Sequence, residues 1–240
     1  MIDWLRKEIV DPSVEVAGHD LPLAIRRNAR AKRLTMRLAP DGSEVRITMP
    51  RWGRTVDALA FAHARAGWLA EQLGKVPERQ AIAPGGTMPF RGRDLRIDWH
   101  GEAPRPPRLD GDRLTCGGPV SSLDGRLRRW LESQALDLAS ADLDDYCARV
   151  GLPVPMLRLS RARRRWGSCS GRKCIRVNWR LVMAPDSVRR SVVAHEVAHL
   201  VHFDHSPAFH ALLSDLFEGD IGAADAWLKA QGAGLYSHFA

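Results

Sequence analysis

The chain has 240 residues, of which 45% are apolar and 27% charged, and 36 basic side chains against 28 acidic ones give it a net charge of +8. That balance suits a globular protein and excludes a disordered or collagen-like chain. No run approaches the ~20 apolar residues a membrane helix needs, so no membrane partner is expected. Cys116, Cys147, Cys169 and Cys174 form no CxxC pair, which argues against a disulfide framework or an all-cysteine zinc site. The start, MIDWLRKEIV, lacks the apolar run of a signal peptide, and the expected compartment is the cytoplasm.

In chain order, residues 1–19 read as a leader turned at Asp11-Pro12. Strand-like alternation follows in three pieces: Leu21, Leu23 and Ile25; Leu34, Met36 and Leu38; Val45, Ile47 and Met49. Asp41-Gly42 is a hairpin turn between the last two. Residues 54–75 switch to helical spacing, with Val56, Leu59, Ala60, His63, Gly67 and Leu73 along one side. Strand character returns after Pro84-Gly85-Gly86, and residues 103–107 and 116–122 read as loops.

A domain boundary near residue 119 separates an N-terminal β-rich segment with one helix, 1–119, from a second domain, 120–240. Leu123 to about Val150 predicts one long helix, or two broken near Ala141. The runs MLRLS and CIRVNW are strand-like and flank RRRWGSCSGRK, with a turn at Ser170-Gly171; they form a hairpin or two neighbouring strands. A helix begins at Ala184-Pro185-Asp186, where proline suits a first turn and aspartate a cap. Ser206-Pro207 opens another, and a last helix covers 221–231 and ends at Gly232. No internal repeat or low-complexity tract is evident.

Two features carry chemistry. From Arg158 to Arg180 there are nine basic residues and no acidic one, a run that could meet nucleic acid or a nucleotide; a solvated basic strand and loop is the plainer alternative. The second is His195-Glu196-Val197-Ala198-His199, an HExxH pattern. On a helix the two histidines stand about 6 Å apart along the axis and ~40° apart in rotation, so both imidazoles reach one metal ion. Glu196 lies beside them, where a carboxylate can move a proton to and from water. Val193, Val197, Leu200 and Val201 mark a separate core face.

A catalytic zinc takes three protein ligands and keeps a fourth position open. His202 falls about 60° short of a full turn from His199 and points away from His195. His205 stands where Ser206-Pro207 reverses the chain and can fold back; Glu218, on a following helix, is the runner-up. The missing glycine midway, replaced by His202, and the absence of methionine after Met183 make a metzincin arrangement a poor fit.

The stretch RRWGSCSGRKCIRVNWRLVMAPDSVRRSVVAHEVAHLVHFDHSPAFHALL closely resembles the core of the YgjP-like metallopeptidase family, which is related to the SprT-like zinc proteases. RRNARAKRLTMRL, DGSEVRITMPR and FAHARAGWLAEQL resemble the family's opening, so the likeness spans roughly residues 20–232. It implies His195, His199 and His205 as ligands of one zinc ion, Glu196 as general base, and Arg165-Trp166-Gly167-Ser168-Cys169 next to the active site. Val197, Asp204 and His210 depart from the commoner Leu, Asn and Trp without removing a ligand.

Physically, Trp166 could wall a cleft, Gly167 allows close backbone approach, and Ser168 or Asn178 could bind a substrate backbone. The alternative has Trp166 and Trp179 as core aromatics and Gly167 as a bulge. The expected protein is α+β, with a zincin-like unit behind the β-rich segment. The expected activity is cleavage of peptide or protein substrates. The alternatives are a metal-dependent nucleotide hydrolase or a DNA-associated protease of SprT-like type, using the 158–180 run.

Overall fold

A computed structural model describes residues 12–39, 41–76, 78, 80–163, 165–171 and 173–239. The leader expected over 1–19 lies outside the described residues up to residue 11; beyond it, residues 13–16 already form a strand. Among the described residues there are six α-helices and three sheets, each mixing parallel and antiparallel pairs, so the protein is α+β.

The chain forms two compact units, 1–78 and 79–240. The first holds β1 (Ser13–Val16), β2 (His19–Arg27), β3 (Thr35–Leu38) and β4 (Val45–Met49) in the order β1-β2-β4-β3, followed by α1 (Thr55–His63) and α2 (Ala66–Gly74). Alternation puts Val14, Val16, Leu21, Leu23, Val45, Ile47 and Met49 on one face, where they bury against Ala58, Ala62 and Leu69 of the helices. The single helix expected over 54–75 is two, because Arg65 leaves helical dihedrals (φ −118°, ψ 19°) two residues before Gly67, a weak helix former.

The second unit opens with β5 (Thr87–Phe90), β6 (Arg93–Trp99), β7 (Arg108–Asp110) and β8 (Arg113–Cys116), in the order β5-β6-β8-β7. Both four-stranded sheets share one plan: two antiparallel hairpins joined by a central parallel pair, β2 with β4 and β6 with β8. The first hairpin of each turns on two left-handed residues, Ala17-Gly18 (φ 50° and 79°) and Arg91-Gly92 (φ 51° and 76°). The flanking sequences, Val16-Ala17-Gly18-His19-Asp20-Leu21 and Phe90-Arg91-Gly92-Arg93-Asp94-Leu95, share only Gly, Asp and Leu. That is why the repeat is invisible as a sequence pattern.

The boundary expected near residue 119 falls inside the second unit. Met88, Phe90, Leu95, Ile97, Leu114 and Cys116 of its first sheet bury in the same core as the later helices. α3 (Leu123–Arg149) is one unbroken helix, with Leu123, Leu127, Leu131, Ala135, Ala139, Leu143 and Tyr146 along its buried face.

β9 (Met156–Ser160), β10 (Gly167–Ser170) and β11 (Cys174–Asn178) make the third sheet. β11 is central, parallel to β9 and antiparallel to β10. MLRLS and CIRVNW are therefore parallel neighbours, and the hairpin arm is the GSCS segment between them. Its small side chains give no apolar alternation to mark it as a strand. α4 (Asp186–Val201), α5 (Pro207–Leu216) and α6 (Ile221–Gln231) complete the unit.

Candidate metal centre

α4 carries the HExxH residues, and its start is held on two sides. Pro185 is the N-cap in an extended conformation, and Asp186 pairs with Arg189 of its own helix and Arg91 of the β5–β6 turn. Asp186 thus acts through ion pairs in the first turn rather than as the cap. The same turn donates backbone N–H groups from Arg91 and Gly92 to the carbonyls of Val182 and Met183, at 2.7 and 3.1 Å. Gly92 is required there: a Cβ would lie 2.9 Å from Cα of Pro185, at a φ of +76°. Deeper in, Arg189 donates to Asp142 of α3 at 2.7 Å, both side chains almost wholly buried.

Val188, Val192, Val193, Ala194, Val197 and Ala198 form the core side of α4. His195 and His199 stand half-buried on another side, their ring centroids 4.8 Å apart. The helix ends at Val201, and His202 turns extended (φ −123°). Its side chain does not join the other histidines, but its carbonyl accepts from Nδ1 of His199 at 3.0 Å. That bond occupies Nδ1 and leaves Nε2 as the nitrogen available to a metal. Ser206 caps α5, its hydroxyl accepting from the N–H of Phe209, and Pro207 is the first helical residue. This tight re-entry brings Nε2 of His205 to 3.3 Å from Nε2 of His195.

Ligand atoms of His195, His199 and His205 all lie within 4.8 Å of one another, and among the described residues this is the group of three or more His, Cys, Asp or Glu that could hold a metal ion. Phe209 lies beneath them fully buried, its ring 5.0, 4.5 and 4.9 Å from the three imidazoles. Burial, then the neighbouring charges of His199 and His205, holds His195 down to about 4 against the opposing pull of Asp225. A neutral imidazole is the form that binds a metal. Glu218, the other candidate ligand, is engaged elsewhere: it accepts from Tyr146 at 2.9 Å and Arg149 at 3.1 Å, and pairs with Arg190.

Glu196 is 5% exposed, and its Oε2 has no hydrogen-bond partner. Burial pushes its carboxyl up to about 7, opposed by the Arg165 charge and a backbone hydrogen bond from Cys169. Gly167 lies directly against it, with Cβ space taken by the Glu196 side chain. A cleft of about 240 Å³ opens beside His195 and Glu196, and Trp166 and Gly167 line it. Three converging imidazoles, a buried carboxylate with one idle oxygen, and an adjoining cleft fit a divalent metal with an open coordination position.

The remaining expected residues divide. Arg165 is exposed two residues before β10, near enough for its charge to reach Glu196. Ser168 is half-buried within β10, paired across to Arg176. Asn178 is fully buried; its amide donates to the Ala162 carbonyl and the Tyr236 hydroxyl, and its oxygen accepts from the Arg180 N–H, so it braces the fold behind the strand. The basic run splits too: Arg158 and Arg176 are exposed on neighbouring strands and Arg161 pairs with Glu132, whereas Arg180 is buried over the rings of Trp179 and Tyr236.

The sequence matches the family model described as YgjP-like, metallopeptidase domain, over residues 32–231. The chain belongs to the YgjP-like family. No curated protein and no solved structure matches it. The YgjP-like match makes this chain a metallopeptidase by family, a hydrolase of peptide or protein substrates that uses a divalent metal, and its span takes in both compact units. It lends no support to a nucleic-acid partner. No helix among the described residues of this YgjP-like chain is long and apolar enough to cross a membrane.

Proposed function

We propose that the protein is a zinc metallopeptidase of the cytoplasm, holding one zinc ion on His195, His199 and His205 with Glu196 as general base. The observation that carries this reading is the convergence of three histidine ligand atoms within 4.8 Å beside a buried carboxylate whose Oε2 is unpartnered. The four cysteines are all free thiols, in keeping with a reducing compartment.

The chemistry such an ion supplies when bound is Lewis-acid polarisation of a scissile carbonyl and of the attacking water. Glu196 takes a proton from that water at Oε2 and passes it to the departing amine nitrogen; a carboxyl lifted by burial is suited to both transfers. The Cys169 N–H and the Arg165 charge hold the carboxylate form in place between transfers. The His202 carbonyl fixes the tautomer of His199, as partners of metal-bound imidazoles do. Trp166 walls the cleft and keeps bulk water from the reacting atoms.

The test is Glu196→Gln, with peptides and nucleotides offered side by side. Zinc should stay bound, measured by metal analysis, while peptide hydrolysis disappears. Full hydrolysis by this variant would remove Glu196 from the mechanism, and nucleotide hydrolysis without proteolysis by the wild type would overturn the substrate assignment.

A further inference from the structure

The cleft beside His195 and Glu196 has walls of one kind and charges of one sign. Val192 of α4, Leu213 of α5 and Ile221 and Leu228 of α6 line it with aliphatic surface, and Trp166 adds an aromatic one. Among the described residues its charged lining consists of two carboxylates, Glu196 and Asp225, with no lysine or arginine, in a chain that carries 36 basic residues. Glu196 is committed to the reaction. Asp225 is not: it stands exposed on α6, its charge reaches His195, and among the described residues no hydrogen bond or ion pair engages it. Ser191, also on the lining, donates its hydroxyl proton to the Val188 carbonyl at 2.9 Å, which leaves its oxygen as an acceptor. About 240 Å³ suits one long side chain rather than a folded segment.

Aliphatic walls that also carry a carboxylate and a hydroxyl acceptor complement a side chain with a methylene stem and a cationic, donor-rich head. We propose that this cleft is a specificity pocket for a lysine or arginine side chain of the substrate, with Asp225 as the residue that selects the charge. The inference rests on the peptidase reading and names its substrate class: peptides with a basic residue beside the scissile bond. A neutral side chain of similar length fills the cleft but leaves Asp225 without its partner, and an acidic one is repelled.

The test uses the zinc-loaded full chain and peptides identical except for Lys, Arg, Leu or Glu at one position next to the scissile bond. Wild type is expected to favour Lys and Arg over Leu by about tenfold or more in kcat/KM, chiefly through KM, and to favour Glu least. In Asp225→Asn the ratio of Lys to Leu collapses toward one, and in Asp225→Lys the order of Lys and Glu reverses. The same peptides are titrated into Glu196→Gln by fluorescence anisotropy, where Kd should follow the same order without turnover. Equal cleavage of all four peptides overturns the proposal. So does an Asp225→Asn variant that loses zinc, or loses kcat equally on every peptide, since that marks Asp225 as a positioning residue for His195. If no peptide is cleaved at all, the peptidase reading fails by itself, and the binding order in Glu196→Gln still decides the pocket.

Discussion

Gly167 and Glu196 are built around each other: a Cβ on Gly167 would stand 2.8 Å from both Cγ and Cδ of Glu196, and closer still to Oε1. Two residues on, the Cys169 N–H bonds to the same carboxylate. A side chain at 167 must therefore lift β10 from α4 or turn Glu196 out of the cleft. Gly167→Ala is expected to lower kcat by about tenfold to a hundredfold, the scale of a 1 Å misplacement, and to cost about 1–3 kcal/mol by overpacking. Zinc content should persist, because the atoms nearest a Cβ at 167 all belong to Glu196 and not to the histidines. Steady-state kinetics with metal analysis checks this; an unchanged kcat would show that the contact does not set the carboxylate's position.

The tail of the HExxH helix offers a paired test. His205 brings a ring nitrogen to the cluster, whereas His202 brings only its backbone carbonyl. Loss of an outer partner of a metal ligand costs about 10–100-fold in affinity, and loss of the ligand itself should cost more. His205→Ala is expected to weaken zinc binding by at least about a hundredfold, measured by chelator competition, while His202→Ala leaves it little changed. Equal losses would mean that the His202 side chain takes part in the site.

Much of this centre was legible before any coordinates. HExxH fell in an apolar-periodic run opened by Pro185, and Ser206-Pro207 is a helix start by the chemistry of its two residues, which is why α4, α5 and their reversal fall where expected. Asp186 proved an ion-pair partner rather than the cap, and Val201 of the expected core face is exposed. The rest depends on contacts distant in sequence. GSCS is a strand because β11 supplies its partner, and its first residue is glycine because Glu196 of α4 fills the space of a Cβ there. Phe209 looks like any apolar helix residue until three imidazoles surround it. The boundary expected near 119 followed from the long helical pattern that starts at Leu123, but Met88 and Cys116 share a core with α3 and α4. Nothing local announces that burial.

Acid stability should report the network joining α3, α4 and the start of the loop after α5. Burial pushes the Glu218 carboxyl up, but hydrogen bonds from Arg190, a backbone N–H and Tyr146 outweigh it and leave it at about 2, below its ordinary 4.5. Asp145 is lowered by hydrogen bonds from Arg190 and Arg149. A depressed carboxylate contributes stability that is fully present above its unfolded value and is lost as pH falls through its folded value. The stability difference between wild type and Arg190→Met, both stripped of metal, should therefore shrink from about pH 4.5 down to about 2. Urea midpoints across that range check it, and a difference that stays constant with pH would show that Arg190 does not act through these carboxylates.

Of the ion pairs at the start of α4, Arg91–Asp186 and Arg189–Asp142 differ most in burial, and burial decides which matters. Arg91 and Asp186 are 44% and 34% exposed at the side chain, whereas Arg189 and Asp142 are 4% and 5% exposed. An exposed pair is worth about 0–1 kcal/mol, so Arg91→Ala should change stability little. Removing one partner of a buried pair costs about 3–5 kcal/mol because it strands the other charge; Arg189→Met should approach that loss, reduced by the remaining hydrogen bond from Arg190 to Asp142 at 3.0 Å. Adding Asp142→Leu to Arg189→Met should recover part of the loss, since no stranded carboxylate remains. Urea denaturation of the three variants separates the contributions, and equal effects of Arg91→Ala and Arg189→Met would refute the assignment of the buried pair as the main anchor of the HExxH helix.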